Sequence, residues 1–227
     1  MGEMVEFASN GKTSRGYLAM PEGGAKGPGV VVIQEWWGLT DHIKRVADRF
    51  AQEGFVALAP DLYDGRVVAE PDEAGKAMME LDMERAGKDM AGAVDYLVEH
   101  PEVEPRKVGT VGFCMGGTLA MMLATLRPVD AVVDYYGGPL KGQLEVQKIK
   151  GAVLGHFAGK DEWASPVRAR ELLDRLHRLG IQAEFYTYPQ SEHAFFNDDR
   201  PEVHDTRASA LSWDRTIDFL RNRLGPA

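Results

Sequence analysis

Short apolar runs alternate with amphipathic stretches along the whole chain. Runs at Gly16–Met20, Gly29–Ile33, Phe55–Ala59, Lys107–Phe113, Ala131–Tyr135, Gly151–Phe157 and Ala183–Tyr188 read as strands. Several are unbroken and β-branched, as in "GVVVI", a pattern suited to strands buried on both faces of a largely parallel sheet. Helical periodicity fills the gaps. Ile43, Val46, Ala47 and Phe50 share one face, with Asp41 as the expected N-cap and Gly54 as the stop. Ser165-Pro166 opens another helix, ended by Gly180, with Leu172, Leu173, Leu176 and Leu179 as its core stripe. A last helix from about Thr206 carries Trp213, Ile217, Leu220 and Leu224 on one face. The stretch "AGKAMMELDMERAGKDMAGAVDYLVEH" is helical too, with Gly87 and Gly92 as expected points of division. Strands and helices alternating in this order predict one doubly wound α/β domain over residues 1–227.

Composition narrows the possible functions. A chain of 227 residues, 44% hydrophobic and 27% charged, has the mix of a globular domain with a full core. The net charge of -9 disfavours nucleic acid and anionic membrane surfaces as partners. The beginning "MGEMVEFASNGK" lacks the basic and apolar regions of a signal peptide, so a cytoplasmic location is expected. A single cysteine cannot form an internal disulfide, and no His/Asp/Glu set has metal-ligand spacing. Neither a metal nor another cofactor is expected, and oligomeric state is not encoded in any recognisable pattern.

That single cysteine lies in "GFCMGG", where the run "KVGTVGF" gives way to the helical "GGTLAMMLATL". Gly112-x-Cys114-x-Gly116 is a nucleophile-elbow pattern with sulfur in place of a hydroxyl. Glycines two positions either side let the chain turn sharply, and the turn lifts the nucleophile above the sheet. The sulfur then meets a helix N-terminus, which favours thiolate. A base and an acid should follow in the order acid then histidine. Asp161 after "GAVLGHFAGK" and His193 opening "HAFFND" occupy those places, with Asp134 and Glu162 as rival acids. Of the other histidines, His42, His177 and His204 are expected to be solvated, His100 ends a helix and His156 lies in a strand. An early strand end, "VVIQEWWGL", should supply the second oxyanion donor, making Trp36 and Met115 the candidate backbone N–H pair. Glu35 beside them is hard to explain as packing; a carboxylate there opposes thiolate formation and can accept a proton.

"QEWWGL", "GFCMGG", "GKD" and "EHAFF", with "ALAPDLYDG" and "DYYGG" between them, resemble the dienelactone hydrolase family of the α/β-hydrolase fold over nearly the whole chain. The resemblance implies a triad of Cys114, His193 and Asp161, and a Glu35 that takes the thiol proton when substrate arrives. It also implies carboxymethylenebutenolidase-like hydrolysis of a small ester or lactone through a thioester. Where the family's substrate-gripping arginine would fall four residues after the histidine, this chain has Asn197, and "AEPDEAGKAMM" lacks the expected second arginine and tyrosine. Trp36, Trp37, Tyr63, Tyr136, Trp163, Phe195 and Phe196 are expected near the carboxyl edge of the sheet as pocket residues. Arg66 is the one nearby cation able to replace the missing clamp, with an exposed arginine as the favoured reading. The competing reading is a non-catalytic domain or thiol redox sensor, which needs neither Glu35 nor an Asp/His pair.

Overall fold

The computed structural model describes residues 2–9, 11–139 and 144–225. Its strands are β1 Glu3–Ser9, β2 Lys12–Ala19, β3 Gly27–Ile33, β4 Val56–Pro60, β5 Val103–Phe113, β6 Ala131–Tyr135, β7 Ala152–Ala158 and β8 Ala183–Tyr188. The helices are α1 Asp41–Gln52, α2 Pro71–Glu80, α3 Met83–Glu99, α4 Met115–Leu126, α5 Pro166–Arg178 and α6 Thr206–Leu224. One sheet joins all eight strands in the order β1-β2-β4-β3-β5-β6-β7-β8. Pairing is antiparallel between β1 and β2 and between β2 and β4, and parallel from β4 through β8. The centre holds the unbroken apolar runs: Val30 to Ile33 and Val56 to Ala59 are fully buried. Burial on both faces follows from the helices. On one side α1 and α6 meet through Phe50 and Trp213, whose rings lie 4.6 Å apart. On the other, Gly87 of α3 lies against Leu126 of α4.

Several expectations are corrected. Strand β1 went unread because it is an edge strand with one face in solvent: in "EMVEFAS" only Phe7 and Ser9 are buried, so no continuous apolar run marks it. Its hairpin partner begins at Lys12, four residues before the apolar part. The long helical stretch does not divide at Gly87 or Gly92; both are buried within α3. The break falls at Leu81, and Asp82 caps α3 by accepting from the N–H groups of Glu84 and Arg85. Gly92 is required by packing, since a Cβ there would lie 2.5 Å from the Ala8 carbonyl oxygen of β1. The cap of α1 is Thr40 rather than Asp41, its hydroxyl accepting from Ile43 N–H. Leu179 ends outside the core stripe of α5 at 46% exposure, because it follows the last helical turn. His42 is buried at 2%, with Nδ1 bonded to Asp198 at 2.9 Å. The loop that carries Asp198 covers the His42 ring, so solvent does not reach it.

The sharpest bend joins β5 to α4 at Cys114, which adopts φ 55° and ψ -122°. This is a strained conformation for a residue with a Cβ. Here the glycines are obligatory. A Cβ on Gly112 would sit 1.8 Å from the Gly116 carbonyl oxygen, and one on Gly116 would sit 2.4 Å from that of Gln34. Two backbone bonds hold the bend: Cys114 N–H donates to Tyr135 (3.0 Å) and Gly117 N–H donates to Cys114 (2.9 Å).

Two glycine substitutions test this division between obligatory and incidental positions. Gly75 lies inside α2, and a Cβ placed there would meet nothing within 4 Å, so Gly75→Ala should stabilise by about 0.5–1 kcal/mol through lost chain entropy. Gly112→Ala should destabilise by about 3 kcal/mol or more, because backbone must shift. Urea midpoints at unchanged m-value provide the comparison; a Gly112→Ala chain as stable as the parent would contradict the packing described here.

Candidate active site

Four strand ends converge on the bend. Glu35 and Trp36 follow β3, Cys114 follows β5, Asp161 follows β7 and His193 follows β8. Residues of all four line one cavity of about 460 Å³, together with Trp37, Trp163 and Met78. Such crevices at the carboxyl ends of parallel strands are the usual ligand sites of α/β sheets. Cys114 is 6% exposed. The thiol is therefore reached through the cavity and is not the freely exposed group that a raised elbow suggests, since Trp36, Trp163 and the His193 loop crowd the opening.

His193 and Asp161 form the central contact, Nδ1 to Oδ2 at 2.6 Å. Asp161 is buried at 4%, and its other oxygen accepts from the N–H groups of Trp163 (2.9 Å) and Ala164 (2.8 Å). The carboxylate is thereby fixed on both sides. Burial pulls the His193 pKa down, but hydrogen bonds and charge from Asp161 and Cys114 outweigh it and raise the value to about 10. The ring is held edge-on by Trp163 (5.2 Å, 90°) and Tyr136 (5.1 Å, 66°).

The rival acids lie elsewhere. Asp134 is buried at the end of β6, accepts from Gly137 N–H at 2.7 Å and faces a different cavity. Burial raises its pKa to about 7, against the pull of that N–H. Glu162 reaches the cavity rim but is exposed, and the His193 bond goes to Asp161. His156 is a structural group: burial, followed by the charge of Arg215, lowers its pKa to about 3, and its ring nitrogens bond Tyr188 and Thr216.

Glu35 is 1% exposed. Its Oε2 accepts from Asn197 Nδ2 at 2.6 Å, while Oε1 is buried without a partner among the described residues. Asn197 is itself buried at 3% and accepts from Asp199 N–H through Oδ1. It therefore acts on Glu35 and does not face substrate as its place in the sequence suggests. The Tyr136 hydroxyl lies close enough to Glu35 and Cys114 for both charges to push its pKa upward, in addition to the larger effect of burial. Trp36 lies beyond the end of β3, and Met115 directly follows Cys114. Met115 opens α4, so its N–H has no helical carbonyl to bond, and no turn or side-chain bond among the described residues takes either N–H.

The remaining pocket expectations divide. Trp37 lines the cavity, but Tyr136, Phe195 and Phe196 do not; they are fully buried beneath it, where Tyr136 and Phe195 stack edge-on at 5.3 Å. Aromatic residues near strand ends thus divide between the cavity wall, with Trp36, Trp37 and Trp163, and the core. Tyr63 and Arg66 line a separate cleft, with the Tyr63 hydroxyl donating to Met115 Sδ at 3.5 Å and Arg66 paired to Glu80 at 3.2 Å. Arg66 is thus not the replacement clamp. Sequence reasoning missed the cations that do reach the cavity, Lys160 and Arg200. Lys160 was legible from "GKD", directly before the acid; Arg200, paired with Glu202 and lying 5.5 Å from the Trp37 ring, was not. Among the described residues no three His, Cys, Asp or Glu side chains are grouped to hold a metal ion, and no helix is long and apolar enough to cross a membrane.

The family model for the dienelactone hydrolase family matches residues 14–224. Protein usf of Aquifex pyrophilus is 40% identical over 232 residues, covering 99% of this chain and 100% of that protein. Carboxymethylenebutenolidase of Pseudomonas putida is 30% identical over 206 residues, 86% of each. The crystal structure of a dienelactone hydrolase-like promiscuous phosphotriesterase from metagenomic libraries superposes with a TM-score of 0.88 at 26% identity, over 99% of both chains. Dienelactone hydrolase from Anabaena variabilis shares the fold, with a TM-score of 0.72 at 22% identity over 99% of this chain and 98% of that one. With an elbow, a bonded Asp-His pair and this agreement over almost its full length, the chain belongs to the dienelactone hydrolase family, as a carboxylic ester or lactone hydrolase of the α/β-hydrolase fold.

Proposed function

We propose that Cys114 is the nucleophile of this hydrolase and that small esters or lactones pass through a thioester on its sulfur. The observation that carries the reading is the convergence of Cys114, the bonded His193–Asp161 pair and Glu35 on one cavity. At 6% exposure the thiol is poorly placed for a redox sensor, which needs an accessible sulfur.

The proton inventory decides the roles. The Cys114 charge itself helps raise the His193 pKa to about 10, so imidazolium and thiolate stabilise each other as a pair. Glu35, with one oxygen unpartnered among the described residues, is the group to which this reading assigns the thiol proton. Glu35 removes the proton from Cys114, and the resulting thiolate is paired with the His193 imidazolium. The thiolate attacks the acyl carbon, and the N–H groups of Trp36 and Met115 bind the oxyanion. As the C–O bond breaks, His193 gives its proton to the leaving alkoxide. Neutral His193 then takes a proton from water, whose oxygen attacks the thioester; the acid departs, and Glu35 returns its proton to the sulfur. Asp161 holds the imidazolium in orientation throughout. Esters suit this nucleophile better than amides, because an alkoxide competes with thiolate as a leaving group where an unprotonated amine does not.

Substrate charge follows from the lining. Glu35, Asp161, Glu162 and Glu192 outnumber Lys160 and Arg200, and Arg200 is engaged with Glu202. A neutral acyl group is favoured over one bearing a second carboxylate.

Cys114→Ala should abolish turnover of p-nitrophenyl esters while lowering stability by only about 1 kcal/mol, the cost of a small buried group. His193→Ala and Asp161→Asn should each reduce kcat/KM, the histidine change more, with the double variant little worse than His193→Ala. Asp134→Asn should leave turnover near the parental value; a loss there with Asp161→Asn silent would overturn the assignment of the acid.

For Glu35→Gln, slower turnover is expected together with an altered pH dependence of Cys114 alkylation by iodoacetamide. The amide keeps the bond to Asn197 within reach but accepts no proton, so an unchanged alkylation profile would remove Glu35 from the mechanism.

Comparison of a dienelactone carboxylate with an uncharged ester of similar size should give at least about tenfold higher kcat/KM for the ester, the loss of one charge-assisted contact. The gap should narrow at high salt. A preference for the dienelactone would instead assign a substrate grip to Lys160 or Arg200.

A further inference from the structure

A second cavity, of about 490 Å³, shares no lining residue with the first. It lies between α4, α5 and the segment around a short helical turn at Val146–Lys148. Its walls are apolar and rich in methionine, with Met83, Met121, Met122, Leu172, Val146 and Phe157 among them. Unbranched thioethers adapt to varied ligand shapes. Thr118 and Thr125 also line it, and each hydroxyl donates to a backbone carbonyl, of Gly138 and Met122 respectively. Asp134 is buried at depth, and Arg168 and Arg175, one side of α5, line the cavity from its exposed and half-buried rim.

The rim cations are not consumed by the fold. Among the described residues Arg168 makes no ion pair. Among the described residues Arg175 donates only to the Leu144 carbonyl, at 3.3 Å. The one rim carboxylate among them, Glu145, is paired with Lys148. Two guanidinium groups with spare donors beside an apolar chamber suit a single anionic head on an apolar tail. A second negative group on the ligand would meet Asp134, so the tail must be uncharged.

We propose that this cavity binds an apolar monocarboxylate, with its carboxylate on Arg168 and Arg175 and its tail among the methionines. This goes beyond the hydrolytic reading and does not depend on it, because binding is measured without turnover.

The methionines themselves report occupancy. Met121 and Met122 line this cavity, Met78 lines the cavity of Cys114, and Met4 and Met20 are exposed. In full-length protein carrying [13C-methyl]methionine, octanoate should shift the Met121 and Met122 methyl signals saturably and leave those of Met4 and Met20 in place. Arg168→Gln alone should weaken binding several-fold, and the Arg168→Gln/Arg175→Gln pair at least about tenfold, with the urea midpoint as a check on folding. 1-Octanol should bind more weakly than octanoate. Absence of saturable shifts at millimolar octanoate, shifts confined to Met78, parental affinity in a folded double variant, or octanol binding as tightly as octanoate would each overturn the proposal.

Discussion

Everything at the carboxyl edge of the sheet is referred to one strained residue. Cys114 takes a left-handed φ of 55° that a side chain resists, and it does so because three pieces of backbone leave no alternative. Gly112 and Gly116 nearly touch across the bend, Gly116 presses on the end of β3, and the Cys114 N–H is tied to Tyr135 at the end of β6. The bend thus joins three adjacent strands. Its strain is stored at the point where the thiol meets the first turn of α4, and the close approach to β3 brings Glu35 and Trp36 to the same cavity. Alanine at either glycine would separate these pieces before it affected any side chain.

Charge gives the site its second constraint. Most buried carboxylates in a fold are quenched by a cation, yet Glu35 is held by the neutral amide of Asn197 and keeps one oxygen unpartnered. An arginine there would bring an opposing charge; an asparagine positions the carboxylate without one. In the proposed mechanism that difference matters, because Asp161 and the sulfur both raise the His193 pKa and favour its protonated form. The carboxylate and the imidazole then divide the work of one base, the first serving the thiol and the second the leaving group and water.

Much of this was legible in the chain, for physical reasons that can be named. Buried parallel strands are unbroken apolar runs, so β3 to β7 stand out, whereas β1, half in solvent, does not, and the edge strand β8 is marked only by its aromatic and β-branched residues. Cys114, Asp161 and His193 were readable because the elbow and the strand ends impose local patterns. Contacts between distant segments leave no such trace. Asn197 looked like a weakened substrate contact, and only the fold brings it to Glu35, 162 positions away in sequence. Arg66 stands near the "DLYDG" turn, but its partner Glu80 draws it into another cleft. Aromatic residues were the least informative: Tyr136, Phe195 and Phe196 occur at strand ends as pocket residues do, yet all three pack inward. The α2/α3 break shows the reverse error, since glycine attracts notice as a breaker while the aspartate cap at position 82 decides the boundary.

The segment from His193 to Asp205 carries both the imidazole and the amide that holds Glu35, and its anchors are few and identifiable. Asp205 accepts from Ser191, the Phe195 carbonyl accepts from Asp205 N–H and Ser209, and Asp198 and Asp199 are gripped by His42 and Arg45 of α1. Phe195 and Phe196, within the same segment, are buried against Tyr136, Phe113 and Tyr135 at 5.3, 5.2 and 5.1 Å. Moving the imidazole away from the thiol therefore means withdrawing two rings from the core, which ties the durability of the site to that of the packing beneath it.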